Sequence, residues 1–174
     1  TMPLQYHYAA PAARADEWSL DERIRRGVGR EMTMALVSAP SNLGLRPPQP
    51  TSVPGCAKAP EALREAGLFQ RLAEFGAVDA GVVLPGRYAD DAVPGRLRNQ
   101  ALIVEHARRL AERIGALRQA GQIPLVIGGD CSLLVAAGLA LRRAGRYGLA
   151  HLDGHTDFRH PGNSAACASL AGED

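Results

Sequence analysis

Short apolar runs and amphipathic stretches take turns along the chain from about residue 32 onward. "MALVSAP" (34–40) has strand length and closes in turn residues, and "LRPPQPTSVPG" (45–55) after it is too rich in proline for regular structure. "PEALREAGLFQRLAEFG" (60–76) reads as a helix with Pro60 at its first position and Gly76 at its end. It places Leu63, Leu68, Leu72 and Phe75 near one face, with a break at Gly67. "AVDAGVVL" (77–84) is a second strand. Residues 97–120 set Ile103, Ala107, Leu110, Ile114 and Leu117 on one stripe, with Glu105, Arg108, Arg109 and Glu112 mostly opposite, a long surface helix with His106 at the rim of the stripe. "IPLVIGG" (123–129) is a third strand. "SLLVAAGLALRRAG" (132–145) is apolar almost all round and predicts a buried helix, ended by Arg142, Arg143 and Gly145. "YGLAHLD" (147–153) is a fourth strand.

Strands apolar on both faces, alternating with helices, predict an α/β fold with a parallel sheet covered on both sides. Right-handed crossovers bring every strand's carboxyl end to one edge, where open α/β sheets build their sites. Two polar clusters, "GGDCS" (128–132) and "DGHTDF" (153–158), are thereby expected at the same edge. Residues 1–31, with scattered Pro and Ala and a charged patch, are expected to form a loosely ordered extension with a short helix around Ser19 to Arg26. The folded part is expected to span residues 32–174.

Composition narrows the function without choosing it. Twenty basic against eighteen acidic residues leave a net charge of +2, and Lys58 is the sole lysine, so no broad basic field for nucleic acid or anionic membrane is expected. No segment approaches the roughly 18 consecutive apolar residues of a membrane span. Three cysteines, Cys56, Cys131 and Cys167, suggest free thiols in a reducing cytoplasm.

The chemistry concentrates in Asp153, His155 and Asp157, spaced by two. In extended backbone they share a face, yet the two carboxylates would lie roughly 13 Å apart at about 3.3 Å per residue, whereas paired metal ions sit about 3.5–4 Å from each other. The chain is therefore expected to curl after Asp153, at Gly154. Two carboxylates and an imidazole suit a divalent ion such as manganese better than calcium or structural zinc. The plain alternative is a polar strand end in which the aspartates cap loops and His155 is solvated.

"GGDCS" and "DGHTDF", with "GCAKAPEALREAGL" (55–68) upstream, resemble the signature segments of the arginase, agmatinase and formiminoglutamase family, the ureohydrolases, in order and spacing over residues 32–174. The resemblance implies a three-layer α/β/α fold with a mainly parallel sheet, here incomplete, with about four strands of the family's eight. It also implies two Mn2+ ions, a small guanidino or amidino substrate, hydrolysis of a C–N bond, and a homo-oligomer as an open question. Asp153 would bridge both ions, His155 would bind one and Asp157 the other. Three departures matter. Cys131 stands where typical members have a histidine ligand; Arg159 and Ala165 stand near where arginases place substrate-contacting and proton-shuttling residues; and the chain reaches Asp174 before the family's later Asp-x-Asp pair. A fragment inactive alone is thus expected.

Three other readings compete. A thiol hydrolase would use Cys131, at a strand-to-helix turn, with His151, His155 or His160 as base, although Leu133 stands where a nucleophile elbow has glycine. A nucleotide-binding module lacks any Gly-x-Gly-x-x-Gly or Walker loop. A non-catalytic chain pairing with another polypeptide is the third. Cys131 could also simply pack as a small buried residue.

Overall fold

The computed structural model of this chain describes residues 33–91, 93 and 96–154. Its elements run β1 (Met34–Ala39), α1 (Gly55–Glu65), α2 (Leu68–Ala73), β2 (Val78–Val82), α3 (Gln100–Gln119), β3 (Ile123–Gly128) and α4 (Leu133–Ala144). The three strands form one parallel sheet in the order β2-β1-β3. The first strand is central and all but its first residue is buried, as expected of a strand covered on both faces. Among the described residues no helix is long and apolar enough to cross a membrane.

Alternation along β1 explains the layers. Val37 and Ala39 face a cluster made with Ala107, Leu110, Ala111 and Ile114 of α3 and Ala136 and Ala140 of α4. Leu36 and Ser38, of opposite parity, face the other way; α1 contacts β1 and β3 without joining that cluster. The predicted stripe of α3 is the buried one, and alanines at the α3–α4 contact let the two helices pack closely. Each fully buried Leu or Ile of this stripe contributes about 1.5–3 kcal/mol. Gly67, in left-handed backbone at φ 84°, separates α1 from α2 as the sequence indicates.

Between Leu36 and Ser38 of β1 the partner strand advances from Asp79 to Val82, so β2 carries one extra residue. Gly81 supplies the positive φ this bulge needs, and its N–H donates to Asp79 Oδ1 at 2.9 Å. On the other side, the N–H of Ile123 donates to Thr33 O at 3.0 Å. By alternation, Pro124, Val126 and Gly128 direct their backbone groups to the outer edge of β3. Pro124 has no N–H to leave unpaired, which is why the strand tolerates it there.

Four expectations are corrected. The sheet has three strands among the described residues, not four: Tyr147–Asp153 forms no ladder, because β3 is not joined on its outer edge and a strand without a partner has no hydrogen bonds to hold it. Leu149 and the 97% exposed Leu152 stand in solvent as a result. Helix α4 is buried only along Ala136 and Ala140, with Leu134 and Val135 on an uncovered side. Pro60 lies inside α1, which begins at Gly55, and leaves Cys56 O without its usual i+4 backbone donor. His106 is no rim residue. It is 2% exposed, and its Nε2 lies 3.0 Å from Val83 O, a contact that lets the ring enter the core as a hydrogen-bond donor. Burial holds its pKa below the ordinary value, against the smaller opposite effect of the carbonyl.

Candidate metal centre

The turn after β3 is built by Gly128, Gly129, Asp130, Cys131 and Ser132. It passes so close to the end of β1 that a Cβ on Gly129 would sit 2.6 Å from both the N and O of Ser41 and 2.8 Å from Ala39 O. Those neighbours are backbone and cannot step aside, so the paired glycines are a requirement of close approach. Asp130 fastens the turn. Its N–H donates to Ser41 O at 3.1 Å, its Oδ2 accepts from Ser41 Oγ at 2.8 Å, and its Oδ1 accepts from the Ser132 N–H at 2.9 Å. Ser41 Oγ in turn accepts from the Leu43 N–H at 3.2 Å. This buried carboxylate is a structural anchor shared by the ends of two neighbouring strands.

With Asp130 held inward, Cys131 faces outward and is exposed, which sets aside its packing as a buried residue. Its Sγ lies 3.9 Å from Asp153 Oδ2. His151 Nε2 lies 3.5 Å from that same oxygen. A thiol, a carboxylate and an imidazole from two segments thus meet beyond the carboxyl end of β3. The chain bends at Gly154, at the residue expected to turn it. His155, Asp157, Arg159, His160 and Ala165, together with Cys167 and residues 1–31, lie outside the described residues. Among the described residues no group of three or more His, Cys, Asp or Glu side chains is placed so that it could hold a metal ion.

Cys56 differs from Cys131. Its thiol is half-buried with Sγ 3.8 Å from Ser41 O, and burial, followed by the charge of Asp130, pushes its pKa up. The nearby loops that follow β1 and β2 are tied by Asn99, whose Nδ2 donates to Leu43 O at 3.0 Å and whose Oδ1 accepts from the Ala89 N–H at 2.8 Å. Asn99 takes left-handed backbone at φ 54°, a conformation asparagine tolerates. Arg98, 6% exposed, pairs with Asp90 at 2.9 Å, and Asp90 also meets Arg46 at 3.3 Å. Sequence reasoning missed the Ser41–Asp130 anchor and gave Asn99 no role. A small hydroxyl residue just after β1 carries no signal of a partner 89 positions away.

A parallel α/β layer with a polar cluster past the strand ends is the arrangement in which open α/β folds place their sites. Comparison with known proteins makes this specific: the model of the arginase family matches residues 32–170, and the chain belongs to that family. It is 30% identical over 148 residues to the arginase of Agrobacterium fabrum, covering 80% of this chain and 44% of that protein. Human Arginase-1 is 27% identical over 135 residues, covering 76% of this chain and 40% of that protein. The crystal structure of the Bacillus caldovelox arginase aligns with a TM-score of 0.63 and 26% identity, covering 76% of this chain and 44% of that one. The chain therefore spans less than half the length of the curated relatives it matches.

Proposed function

We propose that the chain is the amino-proximal part of a metal-dependent hydrolase that cleaves C–N bonds of small guanidino or amidino compounds in the cytoplasm. The single observation behind this is the convergence of Cys131 and Asp153 beyond the carboxyl end of β3, from the two segments that carry the family's metal motifs. The donor set fits a divalent ion, since a carboxylate and a thiol approach each other and an imidazole adjoins them. Asp153, His155 and Asp157 would hold the Mn2+ pair, with Cys131 beside one ion. When bound, such ions supply Lewis acidity and lower the pKa of water. The chain's own residues do the rest: Asp130 and Ser41 hold the Cys131 turn, and the carboxylates of Asp153 and Asp157 favour a cationic guanidinium.

Four donors are too few for two ions that each seek about five or six contacts, so the 174-residue chain alone is expected to release no urea or related product. The test incubates it with Mn2+ and a panel of arginine, agmatine-like amines, guanidino acids and formimino compounds, and measures metal retained after dialysis. Retention lost in Asp153→Ala supports the reading. Turnover abolished by a chelator and restored by manganese refutes the incompleteness of the site, and no retained metal at all refutes the centre.

Among the described residues β3 has no strand on its outer edge, which favours a second reading, a non-catalytic chain that pairs with another polypeptide. By alternation, Val126 and Gly128 direct their N–H and C=O groups away from β1. Hydrogen exchange would show these two amides unprotected in the isolated chain; full protection in a verified monomer argues against it.

A further inference from the structure

We infer that Arg46, in a pocket walled by the loops that follow β1 and β2, binds a carboxylate of the substrate, so that the chain selects guanidino acids over guanidino amines. The inference rests on the metal-hydrolase reading and narrows the substrate which that reading leaves open. The pocket, of about 460 Å³, is lined by Arg46, Pro47, Pro48, Pro50, Tyr88 and Asp90. Its size is that of a small-molecule site. Both loops leave the carboxyl ends of their strands, at the same edge as the Cys131 turn, yet no lining residue belongs to that turn or to Tyr147–Asp153.

Asn99 sets the two walls against each other. Its side chain donates to Leu43 O and accepts from the Ala89 N–H, and its own N–H donates to Asp91 Oδ1 at 2.6 Å. Leu43 is tied in turn to Ser41, and Ser41 to Asp130. The walls are thus fixed to each other, and to the Cys131 turn, before a ligand arrives.

The chemistry of the walls decides which ligand group enters. The loops, residues 40–54 and 83–99, carry Arg46, Arg87, Arg96 and Arg98 against Asp90 and Asp91, so they are net positive and favour an anion. Pro47, Pro48 and Pro50 have no N–H, and the Gln49 N–H already donates to Ser52 Oγ at 3.1 Å. That stretch of backbone offers an anion no donor, and recognition falls to Arg46. Its Nη2 meets Asp90 Oδ2 at 3.3 Å with the side chain 62% exposed, whereas the Arg98 side chain, 6% exposed, holds Asp90 Oδ1 at 2.9 Å. An exposed pair of that length contributes little. Arg46 therefore turns to a ligand at small cost, while Arg98 keeps the charge of Asp90 compensated. The freed guanidinium presents a planar fork that takes a carboxylate through two parallel hydrogen bonds. An ammonium gains nothing comparable, since Asp90 is already held by a buried cation.

The 174-residue chain, isotope-labelled and free of metal, is titrated with arginine and with agmatine, two guanidines that differ by one carboxylate. The Nε–H signal of Arg46, assigned by its loss in Arg46→Gln, is followed by NMR. Arginine is expected to move that signal and to bind at least about 10-fold more tightly than agmatine. Arg46→Gln is expected to erase the difference with circular dichroism unchanged, because the side chain is exposed. Equal affinity for the two compounds, no binding of either, an Arg46 signal that arginine leaves in place, or a preference that survives in Arg46→Gln overturns the inference. Mn2+ retained by the parent chain after dialysis judges the metal-hydrolase reading separately. If metal is retained without a preference for arginine, the pocket inference fails and the reading stands. If the preference is present and no metal is retained, the reading fails and the carboxylate site stands.

Discussion

Replacing Ser41 by alanine tests whether the Cys131 turn is held from the end of β1. The hydroxyl is fully buried and acts twice, donating to Asp130 Oδ2 at 2.8 Å and accepting from the Leu43 N–H at 3.2 Å. A hydrogen bond to a charged group contributes about 1.5–3 kcal/mol, and stranding a buried N–H costs about 1–3 kcal/mol. The longer second bond argues for the low end of its range, so the sum expected is about 3 kcal/mol. The backbone bond from Asp130 N to Ser41 O survives, which keeps the loss below that of severing the two loops completely. Urea unfolding monitored by circular dichroism reads the effect, as a midpoint lowered by roughly 1–2 M at unchanged slope. Because neighbours in one network couple, Ser41→Ala and Asp130→Ala combined are expected to cost at least 0.5 kcal/mol or so less than the sum of the single changes. A midpoint shift below about 0.2 M, or strict additivity, would refute the anchor.

Three further outcomes follow from the packing and the protonation of the core. Gly129→Ala is expected to cost at least about 2 kcal/mol, since the added methyl meets only backbone atoms; unchanged stability in the same urea assay would show the turn can shift. Leu110→Ala, at a fully buried position, is expected to cost about 2–5 kcal/mol, whereas Leu152→Ala, in solvent, should stay within about 0.5 kcal/mol, and comparable losses would contradict the burial described. His106 has its folded pKa below the unfolded value, so near neutrality and above the ring is neutral in both states and carries no penalty. As pH falls through about 6.5 the unfolded chain takes up the proton first, and stability drops by up to about 1.4 kcal/mol per pH unit until the folded pKa is reached. His106→Gln should flatten that slope between pH 5 and 7, and an unaltered slope would place its origin elsewhere.

What the sequence by itself determined was the local order of this protein: three strands within a residue or two of their apolar runs, the stripe of α3 from Ile103 to Ile114, the break at Gly67 and the bend at Gly154. Those features follow from periodicity and from backbone freedom, which neighbouring residues dictate. The family, too, was legible, because "GGDCS" and "DGHTDF" need their glycines and donors at fixed spacing. Tertiary structure alone decided that β1 is central, that Tyr147–Asp153 gains no ladder, and that α4 keeps one side open. It also decided that His106 enters the core against Val83, that Ser41 reaches Asp130, and that His151 joins Cys131 around one carboxylate oxygen. The physical reason is common to all of these. Whether an apolar or polar group is satisfied depends on which distant segment arrives beside it, and a one-dimensional pattern records what each residue requires but not which residue will supply it.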